Sequence, residues 1–556
     1  VFALLTGSPV GAWSLLLLDD GLGAIDSVAG EGAAALAEAV RGQEAERVRW
    51  AWDDTARWYP VLLRAGIRVA RSHDLRLARA ILRRSVAAQD AQLARMPTDS
   101  WDAVGAAPAD ADALFDSGAF TADASDAPDC VRELALQEEA IRGSTAPGRL
   151  RLLIAAESSG ALIAREIAHE GLPWRADVHD RILTEALGPR PVFGGRPERL
   201  EALAARIRTE LNAPELNPDS PATLVRALRR AGVAVESTSS WELKRIEHPV
   251  IDPLLEYKKL ARLLSANGWA WLDAWVRDGR FRPDYVVGGV VTGRWATSGG
   301  GALQLPKQIR AAVVADSGWK LVVADAAQLE PRILAAMADD QAMAEAGRGR
   351  DLYQGIVDSG VVEDRAHAKV AMLGAMYGAT TGESGRLMPR LARAYPRSVA
   401  LVEHAARVGE KGERVSTWLG RSSPFPSEEW AAEQAEAYTV DGSAEQQRRA
   451  RTRARDWGRF TRNFVVQGTA AEWALCWMGE LRSRLRALDP APLQDAPHLV
   501  YFLHDEVIVH TPACWADQVA AIITAAAEAS GRALFGPGPV DFPVQVAIVD
   551  SYAEAK

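Results

Sequence analysis

The ten residues Tyr501–His510, YFLHDEVIVH, constrain the fold more than any other stretch of the chain. Two apolar runs, LVYFL and VIVH, flank His504, Asp505 and Glu506, so the segment reads as a β-hairpin with its polar groups at the turn. Carboxylates drawn into a sheet cost several kcal/mol unless something compensates them. Any fold containing this hairpin must therefore bring positive charge to its tip.

At 556 residues the chain exceeds what one hydrophobic core serves, which predicts at least two lobes. Cys130, Cys476 and Cys514 form no CxxC pair and no disulfide framework. That pattern suits a reducing cytoplasm and argues against a structural zinc. No apolar run reaches the roughly 18 residues of a membrane span. The opening VFALLTGSPVGAWSLLLLDD lacks a basic leader and is broken by Gly and Pro, so it reads as two strands rather than a signal peptide. The net charge of −9 by itself disfavours a phosphate-binding protein. The charge is unevenly spread, however. Glu445–Asn463 is strongly basic, whereas Asp110–Asp129 is acidic, poor in bulky apolar residues and expected to be a loop or linker.

Up to about residue 148, short apolar runs alternate with helical patterns such as DDTARWYPVLLRAGIRV, which predicts a small α/β domain. Amphipathic helices follow over Arg149–Gly279, then the Gly-rich VVGGVVTGRWATSGGGALQLP, which suits only strands and loops. The strand WKLVVAD next runs into AAQLEPRILAAMADD, with Pro331 in the first turn of a helix. Gln341–Gly479 is mostly helical, and no internal repeat is present.

Asp325 closes the strand LVVAD where that helix begins, and it is the natural companion of Asp505. Two strand-end aspartates on one sheet can share a pair of divalent cations roughly 3.5–4 Å apart, the arrangement that clamps both oxygens of a phosphoryl transfer. In RAHAKVAMLGAMYG, Arg365, Lys369, Leu373 and Tyr377 recur every four residues along one helix face. Two cations followed by an apolar and an aromatic residue make a ruler for a nucleoside triphosphate. Arg459, Asn463 and Gln467 repeat the same spacing, with hydrogen-bonding groups suited to the minor groove, whose acceptors are nearly the same for every base pair. Taken singly, these features also fit a capped strand end, an amphipathic helix with a basic end and a solvated helix face, although the apolar neighbours of Asn463 and Gln467 speak against the last.

Together and in order, TGR (Thr292–Arg294), DAAQLEPR (Asp325–Arg332), RAHAKVAMLGAMYG (Arg365–Gly378), RNFVVQGTAAE (Arg462–Glu472) and HDEV (His504–Val507) resemble the polymerase module of family A DNA polymerases, the bacterial DNA polymerase I type. The resemblance implies an α/β multidomain chain: a right-hand polymerase preceded by a ribonuclease H-like 3′–5′ exonuclease-like domain over 1–148, with no 5′ nuclease domain. The polymerase domain would span 149–556, with thumb at about 149–290, palm at about 291–345 and 485–556, and fingers at about 346–484. It implies metal ligation by Asp325, the Ala326 carbonyl and Asp505, with Glu506 an auxiliary acid and two Mg²⁺ ions as cofactors, Mn²⁺ substituting. Arg365, Lys369, Leu373, Tyr377, Glu330 and Gln328 would bind the dNTP, Lys369 also protonating pyrophosphate and Glu330 crowding the sugar 2′ position. Arg294, Arg459, Asn463, Gln467 and His504 would hold primer–template DNA. The implied protein is a monomeric, cytoplasmic, nucleoid-associated enzyme of replication or repair without a membrane partner.

Several residues depart from the family pattern. Ala326-Ala327 replaces the usual Tyr-Ser, Leu373 the aromatic residue of the fingers helix, and Tyr353 the histidine near its start. SGGGALQLP follows TGR where the family carries Asn and Gln contacts. These changes predict modest nucleotide affinity, and they motivate the alternative of a weak or silent primer–template-binding protein. Neither Asp-x-Glu nor Tyr-x-x-x-Asp, the proofreading signatures, occurs before Arg149. The exonuclease-like domain is therefore expected to be inactive, with Asp53 or Asp54 marking one former acid position.

Overall fold

The computed structural model describes residues 1–555 except 47, 103–128, 193, 379–381 and 440–442, so most of the acidic segment Asp110–Asp129 lies outside the described residues. The chain divides into two compact units. One comprises 1–170, 284–298 and 322–548; the other comprises 171–283, 299–321 and 549–556.

The first unit opens with β1 (Phe2–Gly7), β2 (Ala12–Leu18), β3 (Ala24–Glu31), β4 (Arg49–Trp52) and β5 (Ser72–Asp74). They form one sheet in the order β3-β2-β1-β4-β5. β1 runs antiparallel to β2 and parallel to β4, and β4 runs parallel to β5. The two-residue period sorts the side chains. Ala3, Leu5, Trp50 and Trp52 enter one core, while Leu4, Leu18 and Ala51 enter another on the opposite face. The helices Thr55–Arg64 and Leu75–Leu82 start where Asp54 accepts from the Ala56 amide (2.8 Å) and Asp74 from the Leu77 amide (2.9 Å).

The same unit continues with α1 (Pro147–Glu170), then β6 (Trp319–Ala326), α2 (Leu329–Ala338), α3 (Leu352–Asp358) and α4 (Arg365–Tyr377). After these come α5 (Glu428–Ala437) and α6 (Ala444–Leu488), then β7 (His498–Leu503), β8 (Glu506–Pro512) and β9 (Val544–Val549). α6 runs for 45 residues from a capping box, in which Ser443 and Gln446 satisfy each other's amides. Its second half is mostly buried between Thr461 and Leu485 and carries the core residues Phe464, Trp473 and Trp477. The second sheet has the order β7-β8-β6-β9. β7 and β8 are the hairpin expected from YFLHDEVIVH, with Leu503 opposite Glu506.

The second unit is mainly helical, over Ala176–Leu187, Glu198–Glu210, Pro221–Arg230, Ile251–Asn267 and Trp269–Trp275. Trp174, His179, Trp271 and Phe281 cluster beside its three short strands. Among the described residues, no helix is long and apolar enough to cross a membrane.

Candidate active site

The hairpin turn contains only His504 and Asp505. His504 holds φ at 59°, a left-handed value that reverses the chain within two residues. The Ala326 amide donates to the Asp505 carbonyl at 2.9 Å, which pins the turn to the end of β6. The half-buried Asp325 and Asp505 are thus brought to the ends of adjoining strands. Glu506 is 2% exposed as the first residue of β8, which takes it into the sheet rather than to the tip. No group of three or more His, Cys, Asp or Glu side chains forms a metal-holding cluster among the described residues. Two carboxylates and a main-chain carbonyl nonetheless make an all-oxygen donor set, the kind a hard divalent cation takes when substrate phosphates complete its shell.

The predicted nucleotide residues fall into two groups. In the first, Glu330 lies in the opening turn of α2, where one carboxylate oxygen accepts from Arg294 and the other from the Tyr377 hydroxyl at 3.1 Å. Burial, followed by the charge and hydrogen bond of Glu330, raises the Tyr377 hydroxyl above its ordinary pKa. Thr292 donates to Gln467 at 3.2 Å, and Gln467 also contacts the Tyr377 hydroxyl. The TGR segment, α2, α4 and α6 therefore meet at one point. Gly468 permits the approach: a Cβ there would strike Thr417 and come within 3.2 Å of the Thr292 carbonyl. His504 belongs to this group, since partial burial and then the Arg294 charge lower its ring pKa.

The second group gathers on Asp351, which sequence reasoning missed. Its Oδ2 accepts from Arg365 at 2.8 Å and from Gln328 Nε2 at 3.1 Å, while its Oδ1 caps α3 through the Gln354 amide at 2.9 Å. Burial works to raise its carboxyl, but the Arg365 and amide hydrogen bonds outweigh it and hold the pKa low. Gln328 reaches this position from a left-handed backbone, φ 48°. Lys369 is exposed one turn beyond Arg365, and Leu373 is half-buried. On α6, Arg459 pairs with Asp456, and Asn463 is half-buried one turn from both Arg459 and Gln467.

Arg332 was also missed as a site residue. It is 1% exposed and donates to the Ala327 carbonyl (3.1 Å), the Gly347 carbonyl (3.0 Å), the Arg350 carbonyl (2.7 Å) and Asp541 Oδ1 (2.5 Å). It thereby fastens the turn that follows Asp325. An arginine inside the apolar run PRILAAMA was the available signal, because such a residue needs acceptors wherever the run is buried.

The fold as a whole matches a solved structure described as the POL domain of Pol1 from M. smegmatis in complex with DNA primer-template and dNTP. The TM-score is 0.65 and the identity 17%, over 100% of this chain and 95% of that one. The sequence model of DNA polymerase family A matches residues 196–554, and the chain belongs to that family. Curated relatives include a thermostable DNA polymerase I of Thermus filiformis, 26% identical over 60% of this chain and 40% of the relative. That of Thermus thermophilus is 25% identical over 72% of this chain and 50% of the relative. The chain thus spans half or less of these relatives' length. Family A DNA polymerases use divalent metal ions.

Proposed function

We propose that this chain is a template-directed DNA polymerase, adding dNTPs to a primer 3′ end and releasing pyrophosphate, as a monomer acting on nucleoid DNA in the cytoplasm during replication or repair. The observation that carries the reading is the Ala326–Asp505 main-chain hydrogen bond, which joins the two aspartate-bearing strand ends. Asp325, the Ala326 carbonyl and Asp505 would hold two Mg²⁺ ions, or Mn²⁺ in their place, and Glu506 would support them from within β8. Such ions stabilise the charge on the attacking and leaving oxygens of an in-line displacement.

The chain's own residues do the positioning. Arg365 and Lys369 take the triphosphate, and Lys369 passes a proton to the departing pyrophosphate. Glu330, held by Arg294 and Tyr377, stands at the sugar 2′ position, with Leu373 and Gln328 beside the nucleotide. Arg294, Arg459, Asn463 and Gln467 follow the minor groove, and His504 meets the primer-terminal backbone. The proposed module is 149–556, with the thumb, palm and fingers boundaries set out above.

Residues 1–148 form, on this reading, an inactive exonuclease-like domain of ribonuclease H type, supported by the sheet order β3-β2-β1-β4-β5. β1, FALLTG, contains no carboxylate. Asp53 is engaged by Trp58 at 2.7 Å and by Arg57, and Asp54 caps a helix.

Primer extension in Mg²⁺, beside Asp505→Ala and a primer-degradation control without dNTPs, tests the reading. Extension by the wild type and its loss by about 10²–10³-fold in the variant are expected, in line with removal of a transition-state charge stabiliser. Extension that survives the substitution removes the metal assignment. Tight primer–template binding with no extension leaves the silent binding protein instead. Primer shortening abolished only by changes within 1–148 overturns the inactive-exonuclease reading.

A further inference from the structure

The polymerase reading uses α6 only from Arg459 onward, yet the helix begins fifteen residues earlier, at Ala444. That first segment, AEQQRRARTRARDWG, carries five arginines against two acids in a chain whose net charge is −9.

Its arginines divide between two faces. Arg449 and Arg453 turn toward α5, where Arg449 pairs with Glu433 at 3.4 Å and Arg453 with Glu433 at 2.9 Å and Glu429 at 3.5 Å. Gln446 donates to Glu436 at 2.8 Å on this same face, and Gln434 of α5 donates to the Ala450 carbonyl at 2.9 Å. Residues 446, 449, 450 and 453 thus form the seam of a helical hairpin, at the spacing of one helix face. Arg448, Arg451 and Arg455 point elsewhere. All three are exposed, and among the described residues none pairs with a carboxylate.

Arg448, Arg451, Arg455 and Arg459 follow one another at three- and four-residue steps, so they lie in one stripe that runs into Asn463 and Gln467. At about 1.5 Å per residue the four arginines cover roughly 17 Å, or about five steps of a strand at 3.4 Å each. The carboxylates of α5 are taken up by Arg449 and Arg453, and on α6 itself Asp456 pairs with Arg459, whereas Arg448, Arg451 and Arg455 stay aligned on another face. We propose that Arg448, Arg451 and Arg455 form a phosphate track that extends the grip of α6 along the backbone of the duplex primer–template. The proposal rests on the polymerase reading and adds to it a second, sequence-independent contact region. Charge complementarity and continuity with Arg459 select the occupant.

Anisotropy titrations of labelled primed duplex over a range of KCl concentrations test it. For Arg448→Ala/Arg451→Ala/Arg455→Ala, the slope of log K against log salt becomes shallower by about 2–3, since each lost phosphate contact contributes roughly 0.9. The triple lysine variant keeps the wild-type slope, and Arg455→Ala alone shows about a third of the change. The melting temperature should fall for Arg449→Ala/Arg453→Ala but not for the outward triple variant. An unchanged slope overturns the proposal. So does a slope change seen only with a 5′ template overhang and absent on blunt duplex, because the stripe then serves single-stranded template. Wild-type protein that does not bind primed duplex at all sinks the polymerase reading itself, a result distinct from either.

Discussion

Arg365, expected to hold the incoming triphosphate, donates to Asp351 at 2.8 Å. The Tyr353 ring lies beneath the same guanidinium, 5.5 Å away, where the family pattern has a histidine. Gln328 is drawn to the same carboxylate oxygen at 3.1 Å. A nucleotide bound as proposed would compete with Asp351 for Arg365 and Gln328.

Releasing that competition should strengthen nucleotide binding. Asp351→Asn retains the α3 cap, because Asn is as good an N-cap as Asp, but removes the charge that holds Arg365. The pair is partly exposed, and such pairs contribute about 0.2–1 kcal/mol, so the KM for dNTP should fall roughly 1.5–5-fold in steady-state primer extension. A higher KM would mean that Asp351 holds Arg365 in its working position.

Glu330 joins Arg294 to Tyr377 and stands where the sugar is expected. Glu330→Ala opens that space and frees both partners. The ratio of kcat/KM for dNTP to that for rNTP should drop by about 10–100-fold, the scale on which small steric differences in a pocket discriminate. An unchanged ratio takes the sugar-gate role from this residue.

The parts of the site that were readable from sequence depend on local pattern. The hairpin, the strand end at Asp325 and the four-residue steps of α4 and α6 are all written in consecutive residues. What escaped depends on partners far along the chain. Asp351 reads as a helix cap, and it is one; its capture of Gln328 follows from a turn 23 residues earlier. Arg332 meets Asp541 across 209 residues, a pairing that no periodicity encodes. The departures Ala326-Ala327 were legible as residues, but what they permit was not. Once folded, both amides serve the backbone, Ala326 bonding Asp505 and Ala327 bonding Pro543 at 3.0 Å, so small side chains suffice.

Arg482 ties the far end of α6 to the first sheet's surroundings. It donates to Glu166 of α1 at 2.8 Å, to the Val69 carbonyl at 2.6 Å and to the Tyr59 hydroxyl at 3.2 Å, all buried. Burial works to raise the Glu166 carboxyl, but Arg482 and Arg68 outweigh it and hold the pKa at about 2. Arg482→Met leaves that carboxylate buried with less compensation and should cost about 3–5 kcal/mol in urea unfolding. Glu166→Gln/Arg482→Met should lose less than the sum of its single changes, because the two residues are coupled. Additive losses would show that the pair acts only by filling space.

Glu472 gives the pH dependence of stability an assignable source. It is 1% exposed on α6, accepting from Thr417 Oγ1 and, at 2.9 Å, from the Leu419 amide. Burial lifts its carboxyl to about 7, against 4.5 ordinarily, and the hydrogen bonds reverse only part of that rise. Between those two values the folded chain keeps a proton that the unfolded chain has released, so stability declines as pH rises through the window. Glu157, whose carboxyl burial also raises despite its Arg421 partner, acts in the same direction, so the comparison must be made with a variant at Glu472 alone. Glu472→Gln suits the site: its oxygen can accept from Leu419 while its amide donates to Thr417, whose hydroxyl is then free to donate to the Arg421 carbonyl, 3.1 Å away. Melting temperatures of the two proteins should lie close together near pH 5 and separate by pH 8, with the variant higher. Parallel profiles across that range would assign the titration to another group.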